Sequence, residues 1–206
     1  MNDINPRGVD LSHFNADPDF HAMSHSGIAF VFLKATQGLG FVDATYTDRR
    51  QRAREVGLRV GSYHFFDPCS SGEDQARHFL SVVGCLAPNE LPPALDLEAA
   101  IGWDSISVEQ RIEQVGAWLS TVENALGVRP IVYTSIGWWQ GVFGEADFSG
   151  HPLWLAHYAG SSGDTAHWKS WTVWQNAQFG TVVGAGVGCI DTDQWNGPLP
   201  APRSGS

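Results

Sequence analysis

Leu91-Pro92-Pro93-Ala94-Leu95-Asp96-Leu97-Glu98 joins a short apolar run to two acids separated by one residue. Read as a strand, its alternation turns both carboxylates to one face, about 6.6 Å apart along the backbone. Charges at the mouth of a buried strand are costly unless paired or used. Two like charges this close also drive their pKa values apart, so that one acid stays protonated near neutrality. Such a pair suits glycosidic bond cleavage. An isolated Asp-x-Glu is more simply a loop cap at Asp96 beside a solvent-facing Glu98, so the flanking elements must decide.

Outward from this stretch, short apolar runs alternate with amphipathic ones. The pattern predicts strands at Gly8 to Leu11, Ile28 to Ala35, Arg59 to Phe66, Ala94 to Glu98 and Pro130 to Thr134. Helices are expected between them at Asp17 to Ser26, Thr45 to Val56, Gly72 to Val83 and Val108 to Leu126, the last stopped by Gly127. After a Trp-rich segment from Gly137 to Phe143, strands at Leu153 to Tyr158, Thr172 to Asn176 and Gly188 to Asp193 leave little room for full helices. Eight mostly parallel strands in so short a chain predict an α/β fold, a TIM-like barrel with an incomplete helix layer after the fifth strand. Barrels of this kind place chemistry at the C-terminal ends of their strands. Asp10, Lys34 to Gln37, Tyr63 and His64, Asp96 and Glu98, Tyr133, Trp154 to Tyr158, Trp174-Gln175 and Asp191 all fall at such ends.

The chain has 206 residues, 43% hydrophobic, enough for one well-buried core. Residues 1–196 are expected to form a single catalytic barrel domain, and residues 197–206, rich in Pro, Gly and Ser, a linker stub or loose end. Twelve basic against 22 acidic residues give a net charge of −10, which argues against nucleic acid and anionic membranes as partners. A monomer is expected. The apolar run Ile28 to Leu33 is too short to span a bilayer, and Met1 to Gly8 shows no signal-peptide core. Cys69, Cys85 and Cys189 specify neither a zinc site nor a disulfide framework. A Cys69–Cys85 bridge is one option, and buried free thiols are the favoured one.

The weaker signals read as structure. His21 and His25 lack the intervening Glu of a zinc-protease helix and are expected to form a surface pair. Gly184-Ala185-Gly186-Val187-Gly188 precedes no helix and reads as a tight turn. His64 has no Ser or Cys partner and is expected to be packed or hydrogen-bonded. No cofactor and no metal are expected.

Seven segments in order, Gly8-Val9-Asp10-Leu11-Ser12-His13, Lys34-Ala35-Thr36-Gln37-Gly38, Gly61-Ser62-Tyr63-His64-Phe65, Leu95-Asp96-Leu97-Glu98, Val132-Tyr133-Thr134-Ser135, Leu153-Trp154-Leu155-Ala156-His157-Tyr158 and Trp171-Thr172-Val173-Trp174-Gln175, resemble glycoside hydrolase family 25, the Chalaropsis-type lysozymes. The resemblance runs from Gly8 to about Trp195. It implies a barrel with a reduced final helix layer and hydrolysis of the β-1,4 bond between N-acetylmuramic acid and N-acetylglucosamine in peptidoglycan glycan strands. Matched by position, it implies Glu98 as general acid/base, Asp96 as its partner carboxylate, and Asp10 and Asp191 as two further acids. Gln37, Tyr63, Tyr133, Trp154, Tyr158 and Trp174 are the expected substrate-binding residues. Two departures stand out. Cys189-Ile190-Asp191-Thr192-Asp193 carries a second acid where the family usually has Val-Asp-x-Asn, and Gln37 replaces a frequent Glu. Asp96 is expected to act as nucleophile or to orient the substrate acetamido group, with retention in either case. The rival readings are a non-catalytic glycan-binding barrel and a cation-dependent hydrolase on Asp10, His13, Asp96, Glu98, Asp191 and Asp193. An enzyme acting on walls is expected outside the cell or to be delivered by phage lysis or specialised secretion.

Overall fold

The computed structural model describes residues 5–98, 100–185 and 190–203. Its elements run β1 (Arg7–Leu11), α1 (Phe20–His25), β2 (Ile28–Gln37), β3 (Phe41–Val42), α2 (Tyr46–Glu55), β4 (Arg59–Phe65), α3 (Gly72–Val83), β5 (Ala94–Asp96), α4 (Val108–Leu126), β6 (Ile131–Thr134), α5 (Ile136–Phe143), β7 (Leu153–Ala156), β8 (Val173–Gly180) and β9 (Ile190–Trp195). The strand order β1-β9-β8-β7-β6-β5-β4-β2, with β1 pairing back onto β2, closes eight strands into a barrel. The two-residue β3 adds only to the end of β2. The eight-stranded α/β barrel expected from the sequence is therefore present.

One strand departs from the parallel pattern, since β9 runs antiparallel to both β8 and β1. No helix separates β7, β8 and β9 among the described residues, so the outer layer ends at α5. Within the Trp-rich segment, α5 buries Ile136, Trp139 and Phe143, an i, i+3, i+7 stripe. The longest helix, α4, starts in a capping box between Ser107 and Gln110 and stops at Gly127 with φ 65°.

Strand alternation divides the core in two. Val9, Val31, Leu33, Leu95, Val132, Leu153 and Leu155 face outward to the helices, where they meet Phe79, Trp118, Trp139 and Phe143. Phe30, Phe32, Ala94, Ile131, Trp154, Val173 and Trp195 face inward and fill the barrel. Phe30 and Phe32 fit because glycines stand beside them in register, Gly8 across from Phe30 and Gly61 across from Phe32. A Cβ on Gly8 would lie 2.3 Å from the Phe30 ring, and one on Gly61 2.2 Å from the Phe32 ring. His64 faces outward and is fully buried. It bonds Thr36 Oγ1 at 2.7 Å and Gln75 Oε1 at 3.1 Å, and stacks on Trp118, as the packed reading expects.

Two expectations need correction. The tail is tied down as far as it is described: Leu199 packs against the barrel interior, Arg59 donates to Pro200 O at 2.7 Å, and Arg203 N–H donates to Pro88 O at 2.9 Å. The Arg59 guanidinium, which also donates to Asn89 O, gives the Pro200 carbonyl a donor that the tail's composition does not reveal. Cys69 and Cys85 are free, and they are exposed rather than buried because both sit in polar loops at helix ends. Cys189, and residues 186–188 of the glycine-rich turn, lie outside the described residues.

Gly61→Ala is expected to destabilise the fold by about 1–3 kcal/mol through displacement of the Phe32 ring, seen as a lower urea midpoint at unchanged slope. A midpoint equal to that of the parent would mean that the barrel interior is loosely filled.

Candidate active site

At the barrel end that holds the C-termini of the parallel strands lies a cavity of about 290 Å³, lined by Asp10, Tyr63, Asp96, Glu98, Tyr133, Trp154, Tyr158, Gln175, Gln178, Phe179 and Asp191. The same alternation that sends Phe32 and Ala94 into the barrel sends Asp10, Tyr63, Asp96, Tyr133 and Gln175 inward nearer the mouth. Because β9 is reversed, its first residues lie at this end, and its pairing sets Asp191 directly opposite Asp10. Eight of the ten residues expected at the site therefore converge: Glu98, Asp96, Asp10, Asp191, Tyr63, Tyr133, Trp154 and Tyr158.

Gln37 and Trp174 do not. A register shift between Lys34 and Thr36 carries Gln37 to the end of β2, where its Oε1 accepts from Lys34 Nζ at 2.7 Å. Trp174 precedes the inward Gln175 and so faces outward, donating to His157 O at 2.7 Å and packing on Trp171. Gln175, Gln178 and Phe179 line the cavity in addition. Alternation within Val173-Trp174-Gln175 could have selected Gln175 over Trp174, whereas the extension of β8 to Gly180, which brings in Gln178 and Phe179, carries no clear sequence signal.

Gln175 ties the wall together. Its Nε2 donates to Asp10 Oδ2 at 2.7 Å, while its Oε1 accepts from Tyr133 Oη at 2.9 Å and Tyr158 Oη at 2.6 Å. Below it, Trp154 Nε1 donates to Asp193 Oδ1 at 2.8 Å, and the Trp154 ring lies against Phe32 at 4.4 Å between centroids. Asp193 itself is not on the cavity wall; it is 1% exposed. His13, a candidate cation ligand, is engaged by Asp43 at 2.9 Å. Among the described residues no three acid, imidazole or thiol groups converge in a way that would hold a metal ion.

The acids share a poorly hydrated space, and each is harder to ionise than usual. Burial raises the Asp96 carboxyl well above the ordinary carboxylate range, and the charge of Glu98 adds to this, while the Lys34 ammonium opposes it. Glu98 is raised by its partial enclosure, again opposed by Lys34, and stands exposed at the rim. Asp191 is pushed up to about 6 by burial and then by Glu98. Lys34 is held in place over the Phe65 ring, 4.7 Å from its centroid. Asp96 Oδ1 is buried without a hydrogen-bond partner among the described residues.

The family model described as Glycosyl hydrolases family 25 matches residues 9–185. The Escherichia coli K12 protein YegX is 33% identical over 201 residues, covering 93% of this chain and 70% of that protein. An N,O-diacetylmuramidase from Arthroderma benhamiae is 32% identical over 179 residues, 83% of this chain and 76% of that enzyme. The structure of a family GH25 lysozyme from Aspergillus fumigatus superposes with a TM-score of 0.86 at 31% identity, covering 95% of each chain.

Gln175→Leu keeps the bulk of the side chain but strips Asp10 of its amide donor and leaves Tyr133 without its acceptor. A stability loss of about 1–3 kcal/mol by urea denaturation is expected. An unchanged midpoint would mean that the Gln175 hydrogen bonds contribute nothing net.

Proposed function

This chain belongs to the family 25 glycosyl hydrolases, and we propose that it is a retaining N-acetylmuramidase in which Glu98 is the general acid/base and Asp96 works through the substrate acetamido group. At the coarser level it is a lysozyme-type glycoside hydrolase acting on peptidoglycan. The observation that carries the finer reading is the meeting of Asp96 and Glu98, with Asp10 and Asp191, in one sugar-sized hollow walled by Tyr63, Tyr133, Tyr158 and Trp154.

The chemistry follows from the unequal exposure of the central pair. Before substrate binds, burial and mutual repulsion let the pair keep a proton toward neutral pH, and depth favours Asp96 as its holder. A bound N-acetyl sugar reverses that preference. Its amide N–H donates to the Asp96 carboxylate on the cavity wall and stabilises it, while the sugar ring covers the exposed face of Glu98 and strips water from it. The proton is then on Glu98, where it passes to the departing glycosidic oxygen.

The acetamido carbonyl oxygen, aligned by Asp96, attacks the anomeric carbon as that bond breaks and forms a cyclic oxazolinium. Ionised Asp96 and Asp10 stabilise its positive charge. Glu98, now a carboxylate, takes a proton from water as that water opens the ring from the opposite face. Two inversions give net retention. Direct attack by an Asp96 oxygen reaches the same stereochemistry. Asp96 sits deep in the wall, 8% exposed, which suits orienting the acetamido group rather than direct attack and favours the acetamido route. The net acidic surface gives a wall no long-range attraction, so binding rests on the short-range aromatic and polar contacts of the cleft.

Glu98→Gln and Asp96→Asn are each expected to lower kcat on purified peptidoglycan by at least about a hundredfold while leaving the unfolding midpoint near that of the parent. Mass spectrometry of the borohydride-reduced digest is expected to show reduced muramic-acid ends, and proton NMR the β-anomer as first product. Reduced glucosamine ends would overturn the bond assignment, an α-anomer first product would overturn retention, and near-full activity in either variant would overturn the residue roles. Sedimentation with walls without release of reducing ends would identify a binding barrel.

A further inference from the structure

The second acid of β9 has no role in the reaction above, yet it is among the most enclosed charged-type residues of the chain. Asp193 is 1% exposed and stands across from Gly8 on β1 and Gln175 on β8. The strand pairing puts Asp10 on the next inward level of β1, and the Asp193 carboxyl faces the Asp10 carboxyl one layer nearer the mouth. Its Oδ1 accepts from Trp154 Nε1 at 2.8 Å. Its Oδ2 meets no N–H or O–H donor among the described residues. Asp10 in turn accepts from Gln175 Nε2. Two carboxyl groups that touch in a dry interior, each already accepting from one N–H, must have a proton between them, because an acceptor facing an acceptor is repulsive.

We infer that Asp193 is a positioning residue that stays a neutral carboxylic acid in the working enzyme, accepting from Trp154 and donating its O–H to Asp10, so that Asp10 is held ionised at the cavity wall. The proton rests on Asp193 because Asp193 is 1% exposed against 9% for Asp10, which lines the cavity and accepts from the Gln175 amide. The groups that face Asp193 are Asp10 from β1, Gln175 from β8, Trp154 from β7 and Asp191 on its own strand, with Asp96 of β5 reaching the pair through Asp10. None of these is a cation. Burial accordingly pushes Asp193 up to about 8.

The sign of the pH dependence follows. Unfolded, Asp193 loses its proton near the ordinary value of about 4, whereas folded it holds the proton to about 8. The folded state binds the extra proton between these limits, so this contribution to stability is complete below about 4, shrinks as pH rises, and is gone above about 8. An amide at the same place accepts from Trp154 and donates to Asp10 with no proton to lose.

The test compares the parent with Asp193→Asn, Asp193→Ala and Asp10→Asn by thermal unfolding from acid to mildly alkaline pH, and the first two variants also by kcat/KM. Asp193→Asn is expected to flatten the fall of Tm with pH and to move the alkaline limb of the kcat/KM profile upward. Asp193→Ala is expected to lower kcat about ten- to a hundredfold at every pH by freeing Asp10 to move. Parent-like slopes in Asp193→Asn, or flattening by Asp10→Asn in its place, would overturn the inference. If Asp193→Ala does not fold, the Asn variant decides. The activity arm rests on the muramidase reading and the unfolding arm does not, so the two can fail separately.

Discussion

The closed barrel forces every second residue of eight short strands into one narrow interior, and the rest of the molecule is arranged around that constraint. The lower interior is filled with rings, Phe30 and Phe32 set against glycines in register and Trp154 and Trp195 packed on them. Nearer the mouth the same alternation has no more apolar volume to fill, and it delivers Asp10, Tyr63, Asp96, Tyr133, Gln175 and Asp191 to a common rim. Acids gathered there cannot all ionise at ordinary cost, because the aromatic floor buries them among apolar rings. The raised affinity for protons that a glycosidase acid requires is thus a consequence of barrel closure, with Lys34 as a counterweight that keeps Asp96 and Glu98 from becoming too reluctant to ionise.

Such a site works against the fold that carries it. Crowded carboxyl groups in a dry space destabilise the native state as pH rises, and the opposing contributions are local. Gln175 neutralises part of the repulsion on Asp10 and supplies the acceptor for two phenols that would otherwise compete for the same carboxylates. The outer layer answers with apolar packing, where Trp118 and Trp139 are fully buried between strands and helices. Arg50, whose guanidinium grips the buried Glu90 at 2.6 and 2.7 Å, ties α2 to the loop before β5 on the side away from the cavity. Stability is concentrated beneath and around the barrel, and reactivity is confined to its mouth.

How much of this was legible in the sequence depends on whether a property is carried by strand alternation. Asp96 and Glu98 stand two apart at the end of an apolar run, Tyr63, Tyr133 and Trp154 lie toward the ends of others, and the strand count followed from the alternation of such runs with amphipathic segments. Features set by pairing between distant strands were not legible. The direction of β9 comes from how the chain returns after β8, the displacement of Gln37 from a register shift against β4, and the docking of Leu199 from a floor that eight strands build jointly. Trp174 shows the cost of reading composition over phase, since a tryptophan beside a glutamine looks like the sugar platform, and the one-residue offset gives the cavity to Gln175 and the outer core to the ring.

The reversal of β9 also explains why two acids of one strand have different fates. A parallel eighth strand would arrive at the mouth with its last residues. The antiparallel one enters at the mouth and descends, so Asp191 is level with Asp10, Asp193 is one step deeper beside Gly8, and Trp195 reaches the floor against Phe30. Hydration falls along that descent, and the tendency to remain neutral rises with it, from about 6 at Asp191 to about 8 at Asp193. One strand therefore grades from a carboxyl that can ionise, through one that keeps its proton, to an indole with no charge at all. A barrel with so few helices on its last strands gains from this a rim acid and the buried group beneath it from consecutive inward positions of a single strand.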